Sequence, residues 1–259
     1  MIWQQLRRAL MYALTLMVLA YMLLPLLLAL PMSLTSGNTL SYPVPGYSLR
    51  WYQTLIEDGR WLAALKVSLG IGFASTFLAL ALGVPAAIGL VWGRFPGRRL
   101  MAMLLALPLV TPIIIVGVAS YYAFARLGLI GSRLPIVLVH TALALPVVIS
   151  TTGAALTTFD RNLLRASASL GAGWLRSFCH VLLPAIAPGI FAGALIAFTL
   201  SFDEVVVASF LSSGPERTLP RLLFSGVRES ISPAVAAVAV VLMTASAVLL
   251  LIYALLRRR

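Results

Sequence analysis

Six long apolar runs decide what this chain can become: Met11–Met32, Leu62–Trp92, Leu100–Phe124, Leu134–Leu156, Ile186–Leu211 and Pro233–Leu256. A helix rising 1.5 Å per residue needs about 20 such residues to cross the hydrocarbon core of a bilayer. The chain is 61% hydrophobic and only 10% charged, whereas a soluble domain is nearer half and a quarter. In lipid a lone segment can satisfy its backbone only as a helix. The expected class is therefore all-α, a polytopic membrane protein of six transmembrane helices. The first run follows Arg7 and Arg8, as a secretory signal would. It is longer than a signal's apolar region and no small-residue cleavage site closes it, so it is read as a retained span.

The net charge of +12 could suit nucleic acid, but the arginines sit in short clusters at the ends of apolar runs. That pattern belongs to membrane anchoring and excludes nucleic acid as a partner. One side of the membrane receives Arg7 and Arg8; Arg94, Arg98 and Arg99; Arg161, Arg165 and Arg176; and Arg257 to Arg259. The other receives Arg50, Arg60, Lys66, Arg126, Arg133, Arg217, Arg221 and Arg228, with Glu57, Asp58, Glu216 and Glu229 nearby. Basic excess marks the cytoplasm, so both termini are expected inside a bacterial cytoplasmic (inner) membrane. The expected layout is a first helix and outer loop over residues 1–60, then a core over 61–256.

Chemistry-bearing clusters are sparse. The single cysteine, Cys179, excludes an intrachain disulfide. His140 and His180 lie far apart and have no metal-ligand spacing around them, so both are read as structural. A phosphate-cradling G-x-x-x-x-G-K-[ST] loop needs a lysine on the phosphates. The chain's one lysine, Lys66, opens the second run. Any ATP hydrolysis must belong to another polypeptide, and no cofactor is expected on this one. No nucleophile–base pair is visible, so a transport role is expected and an enzyme is not. Prolines (Pro25, Pro85, Pro108, Pro112, Pro146) and small residues recur in the runs, as in "SLGIGFAS". Small residues let helices approach closely in lipid, and prolines can bend them.

One connection is too long for a turn: Thr157 to Ala185, "TTFDRNLLRASASLGAGWLRSFCHVLLPA". Leu163, Leu164 and Ala168 fall near one another on a helix for which Asp160 is the N-cap. Gly171 and Gly173 break it. Trp174, Phe178, Val181 and Leu182 then resume a helical spacing, and Pro184 is expected to close the segment before the fifth span. The pattern predicts two short helices at an angle, hinged at glycine. On pattern alone they could lie on the lipid surface or dock a partner.

This stretch resembles the coupling loop of importer-type ABC transporter permeases. The family's usual form is Glu-Ala-Ala, three residues, Gly, nine residues, an apolar position, one residue, and Leu-Pro. Here Arg165, Ala166 and Ser167 occupy the first three positions, Gly171 the glycine, Val181 the apolar position, and Leu183 and Pro184 the closing pair. Arg165 is a charge reversal at a usually acidic place, and Ser167 also departs from the pattern. "YSLRWYQTLIED" and "LSFDEVVVASFLSSGPERTLPRLLFSGVRESISPAVAAVAVVL" are similar to the polyamine (spermidine/putrescine) branch. The resemblance implies a second, homologous permease, two ATPase copies holding ATP and magnesium, and an extracytoplasmic solute-binding protein. It implies an ATP-driven importer for polyamines, or for another amine-bearing solute such as aminoethylphosphonate or an opine. A channel or secondary carrier working alone is the reading from another class, and it leaves the coupling-loop match unexplained.

The fifth run contains two adjacent carboxylates, Asp203 and Glu204, in "TLSFDEVVVASF". Counted from Ile186, they lie about 25 Å along the helix, near the outer interface. Charges at such depth face a bundle interior or a wet cavity. Thr199 and Asp203 share one face; Glu204 shares another with Ala197, Ser201 and Ala208. At least one carboxylate is expected to line the outer mouth of the path and attract a cation. A salt bridge to Lys66 or an outer-loop arginine is the alternative.

Overall fold

A computed structural model describes residues 2–214, 216–230 and 232–257. In chain order its helices are α1 (Ile2–Ser33), α2 (Arg50–Glu57), α3 (Gly59–Trp92), α4 (Arg98–Val110), α5 (Ile113–Arg126), α6 (Arg133–Thr158), α7 (Asn162–Ser169), α8 (Trp174–Ser177), α9 (Leu183–Asp203), α10 (Val206–Leu211), α11 (Leu219–Ser230) and α12 (Pro233–Arg257). A π-helical turn, Phe178–Leu182, joins α8 to α9. Arg258 and Arg259, which the charge pattern assigns to the cytoplasm, lie outside the described residues.

Four helical stretches among the described residues are long and apolar enough to cross a membrane unbroken: Trp3–Ser33, Gly59–Trp92, Arg133–Thr158 and Trp174–Asp203. The expected third span is not one helix. α4 and α5 meet at a bend of 100°, where Thr111 is extended (ψ 128°) and Pro112 caps α5. Proline clashes with a helical residue before it, so Thr111 leaves the helix there. Pro85 and Pro146, by contrast, lie inside unbroken helices. The expected sixth span corresponds to α12, which contributes a shorter apolar stretch among the described residues, Pro233–Val248.

Contacts divide the chain into two units. One comprises residues 1–62 and 223–259. In it α12 packs on α1 and α2, and the 34–49 segment is tied to α2. The Trp51 indole donates to the Thr35 carbonyl (3.0 Å), Tyr52 Oη pairs with Ser33 Oγ (2.7 Å), and the Arg50 guanidinium lies 4.5 Å over the Trp51 ring. Arg60 donates to the Asp58 carboxylate (2.7 Å) and, through that hydrogen bond, holds its pKa below the ordinary carboxylate value.

The other unit, residues 63–222, is built on the pair α6 and α9. Their backbones approach where α9 carries glycine. A Cβ on Gly189 would meet Ala155 Cβ at 2.6 Å, and one on Gly193 would meet Thr151 Oγ1 at 2.5 Å. α3 buries Ala64, Val67, Ile71, Ser75, Ala79, Gly83, Ala87 and Leu90, a small-residue stripe at helical spacing. The apolar core falls into three layers: Val67, Ile71, Ile136, Val207 and Leu211; then Ala79, Ala144, Val148 and Ala197; then Ala87, Leu156, Leu182 and Ile186. α10 packs on α5, with the Phe210 ring against Gly117. Beyond α10, Leu219 N–H donates to Ser68 Oγ (2.8 Å) and Arg133 pairs with Glu216 (3.1 Å from Nη2 to Oε1).

Candidate functional site

The coupling segment forms an elbow whose turn is a complete Schellman motif. Gly171 has φ +83°, its N–H donates to the Ala168 carbonyl (2.9 Å), and the Ala172 N–H donates to the Ser167 carbonyl (3.1 Å). These bonds satisfy carbonyls that the end of α7 would otherwise orphan. Left-handed backbone is open to glycine without penalty, which accounts for Gly171. At the other end of α7 the N-cap position falls on Arg161 rather than on the expected Asp160, which stands one residue earlier and whose Oδ1 accepts the Asn162 N–H (2.9 Å).

The elbow is fastened to the core and bare outside. Leu164 and Phe178 pack on the layer of Ala87, Leu156, Leu182 and Ile186. The Arg161 guanidinium lies 4.7 Å over the Trp92 ring at the end of α3. Ser167 Oγ donates to the Leu164 carbonyl (2.9 Å) and lies 2.8 Å from Ser177 Oγ. A hydroxyl has one hydrogen, so Ser167 donates to Ser177 Oγ or to the Leu164 carbonyl, one at a time. On the outer side Leu163, Leu170, Trp174 and Leu175 are exposed, Leu170 to 89%. Arg165 and Ala166 are exposed beside them, and Arg165 Nη1 donates to Asn162 Oδ1 (3.2 Å).

The second half of the expected helix pair is corrected. Pro184 does not close the segment: α8, the π turn and α9 run on as one helix from Trp174 to Asp203. Proline removes a backbone donor and crowds the preceding turn. The π turn absorbs this, because the Leu183 N–H reaches back five residues to the Phe178 carbonyl. Leu183 and Pro184 therefore sit on the exposed side of a continuous helix.

At the far end of that helix the two carboxylates part. Asp203 is the last residue of α9 and is exposed, as is Thr199 one turn before it. Glu204 is extended (φ −74°, ψ 118°) and turns inward. Its Oε1 accepts the N–H groups of Val206 (2.9 Å) and Val207 (3.0 Å), and Oε2 that of Ala208 (3.2 Å). The carboxylate thus satisfies the first donors of α10, where a negative group is also favoured by the helix dipole. Its ionisable neighbour is His140 of α6, with Nε2 3.4 Å from Oε2; neither Lys66 nor an arginine pairs with it among the described residues. His140 Nδ1 pairs with Ser201 Oγ (2.7 Å), and Ser75 Oγ donates to the same Ser201 Oγ (2.9 Å). When Ser75 spends its hydrogen here rather than on the Gly72 carbonyl (3.1 Å), the Ser201 hydrogen serves Nδ1 and the ring hydrogen falls on Nε2, facing Glu204. His140, Ser201 and Ser75 are all buried. Sequence reasoning assigned His140 a structural place but missed this pairing. The available signal was an acid and an imidazole in two apolar runs, each in need of a partner.

The family model described as "Binding-protein-dependent transport system inner membrane component" matches residues 79–259. The putrescine transport system permease protein PotI of Escherichia coli (strain K12) is 37% identical over 207 residues, covering 77% of this chain and 74% of that one. The spermidine/putrescine transport system permease protein PotC of Haemophilus influenzae is 30% identical over 255 residues, covering 98% and 97%. Among solved structures, a bacterial ABC transporter that imports the acidic polysaccharide alginate aligns with a TM-score of 0.72 at 16% identity, over 98% of this chain and 96% of that chain. The MetNI methionine ABC transporter aligns with a TM-score of 0.59 at 22% identity, over 80% and 95%. The chain belongs to the family of binding-protein-dependent transport system inner membrane components, and is a multi-pass permease subunit of an ABC importer rather than an enzyme.

Proposed function

We propose that this permease subunit carries polyamines inward, with putrescine and spermidine as the substrate class. The observation that carries this reading is the similarity, over nearly the whole chain, to a relative named for spermidine and putrescine transport. An exposed carboxylate at the end of α9, Asp203, suits a cationic solute. Aminoethylphosphonate and opines also carry an amine, so Asp203 alone does not separate them.

In this reading the elbow faces the cytoplasm, both termini lie on that side, and the exposed face of Arg165, Ala166, Leu170 and Trp174 seats on a separate ATPase. ATP and magnesium belong to that partner. A second permease completes the pathway, and a solute-binding protein delivers the solute from outside. The stretch from Trp174 to Asp203 spans 30 residues without a break, about 45 Å at 1.5 Å per residue. A displacement delivered at Trp174 therefore reaches Asp203 through one rigid element, while the Glu204 break lets α10 stay packed on α5. Thr199 and Asp203 line the outer part of the path.

Competition in a reconstituted importer tests the substrate class. Putrescine and spermidine should each suppress uptake of labelled putrescine, and aminoethylphosphonate should not. Uptake of aminoethylphosphonate without uptake of either polyamine would overturn the assignment.

A further inference from the structure

We propose that His140 is a positioning residue for transport: its Nε2 holds Glu204 and so fixes the break that aims Asp203 outward, while Nδ1 on Ser201 sets the direction of the ring. The inference rests on reading Asp203 as a pathway residue.

Three observations converge on it. The first is geometry: Nδ1 is 2.7 Å from Ser201 Oγ and Nε2 is 3.4 Å from Glu204 Oε2. One side chain on α6 thereby grips both sides of the α9–α10 junction. The second is demand. Nε2 is buried with no aligned hydrogen-bond partner, so Glu204 is the acceptor that compensates it. The third is consequence. The Glu204 carboxylate caps three N–H groups of α10, so displacing it would release the start of α10 and free the chain at Asp203. Ser75 on α3 fastens Ser201 in turn (2.9 Å), which ties the junction to a third helix. Val67, Ile136 and Val207 form the apolar layer beside it, where water cannot readily replace a lost partner.

The two amide side chains separate the two grips. Asparagine carries its polar atoms about as far out as Nδ1, and glutamine about as far as Nε2. His140→Asn should keep the Ser201 link and lose the Glu204 link; His140→Gln should do the reverse. The complete importer is reconstituted with Cys179→Ser, which removes the chain's one cysteine. Putrescine is the transported probe, and co-purification of the ATPase checks that each variant assembles. A nitroxide label at Asp203→Cys, in parallel samples, reports the mobility of the junction in water or lipid alike.

His140→Gln should leave the putrescine KM within about threefold of the parent and the label spectrum unchanged. His140→Asn should raise KM about tenfold with a smaller fall in kcat, and mobilise the label. Parent-like behaviour in both variants overturns the proposal. Equal loss in both also overturns it, because His140 would then serve only as packing. Asp203→Asn distinguishes the underlying reading. An unchanged KM there removes Asp203 from the pathway, while the label spectra still decide what His140 holds.

Discussion

Ser177 Oγ lies 2.8 Å from Ser167 Oγ, a bond that closes the elbow between α7 and the root of the long helix. Ser177 is buried, so its loss leaves no easy substitute from water. A neutral hydrogen bond of this kind contributes about 1 kcal/mol. Ser177→Ala and Ser167→Ala should each raise amide exchange at Gly171 and Ala172, the bonded amides of the turn, about fivefold, read by hydrogen–deuterium exchange. Unchanged exchange in both would show the bond to be incidental.

Gly171 and Gly173 make a paired prediction. Nothing lies within 4 Å of a Cβ at either position, so any penalty is conformational. Gly171 has φ +83°, whereas Gly173 has φ −67°. Gly171→Ala should therefore destabilise the elbow by about 1–2 kcal/mol, and Gly173→Ala by little. Thermal unfolding of the detergent-purified importer, with ATP-driven uptake beside it, checks both. Equal effects would contradict the turn geometry.

Gly171 was readable from sequence because its requirement is local: a helix that must stop before an apolar stretch resumes. The small-residue face of Ala197 and Ser201 was readable for the same reason, since helical period alone assigns it and the structure buries both; Ala208, expected on that face of one unbroken helix, is buried too but sits on α10 beyond the break at Glu204. The break at Pro112 was not, because identical prolines at 85 and 146 sit inside intact helices. Neighbouring helices decide which proline bends its helix and which is accommodated. Pro184 misled in the opposite direction, since a π turn two residues earlier takes up its missing donor. The pairing of His140 with Glu204 depends on how α6 and α9 are rotated toward each other, which no single segment encodes.

Close packing of α6 on α9 gives the third prediction. A Cβ at Gly193 already meets Thr151 Oγ1. Gly193→Val should cost about 1–3 kcal/mol by overpacking and lower the melting temperature of the purified importer. Gly89→Ala, where nothing lies within 4 Å, serves as the control in α3. A Gly193 variant as stable as this control would contradict the packing.

Arg165 bears on the ATPase directly. It is exposed, and it donates to Asn162 within the same helix. A guanidinium that loses water on docking needs an anionic or acceptor group opposite it. If the ATPase presents one, Arg165→Glu should weaken its association about tenfold, steeply at low salt and less at 0.5 M. Titration of labelled ATPase against the reconstituted permease pair measures this. An affinity unchanged at low salt would leave Arg165 at a solvated rim.

The central claim is that this chain moves solute only when a nucleotide-driven partner works the elbow at Trp174. Labelled putrescine uptake is measured in proteoliposomes holding the permease pair and binding protein, with and without the ATPase. The account predicts uptake only with the ATPase and ATP together, and its loss when a crosslink between Leu170→Cys and the ATPase locks the elbow. Uptake of equal rate without the ATPase would contradict it.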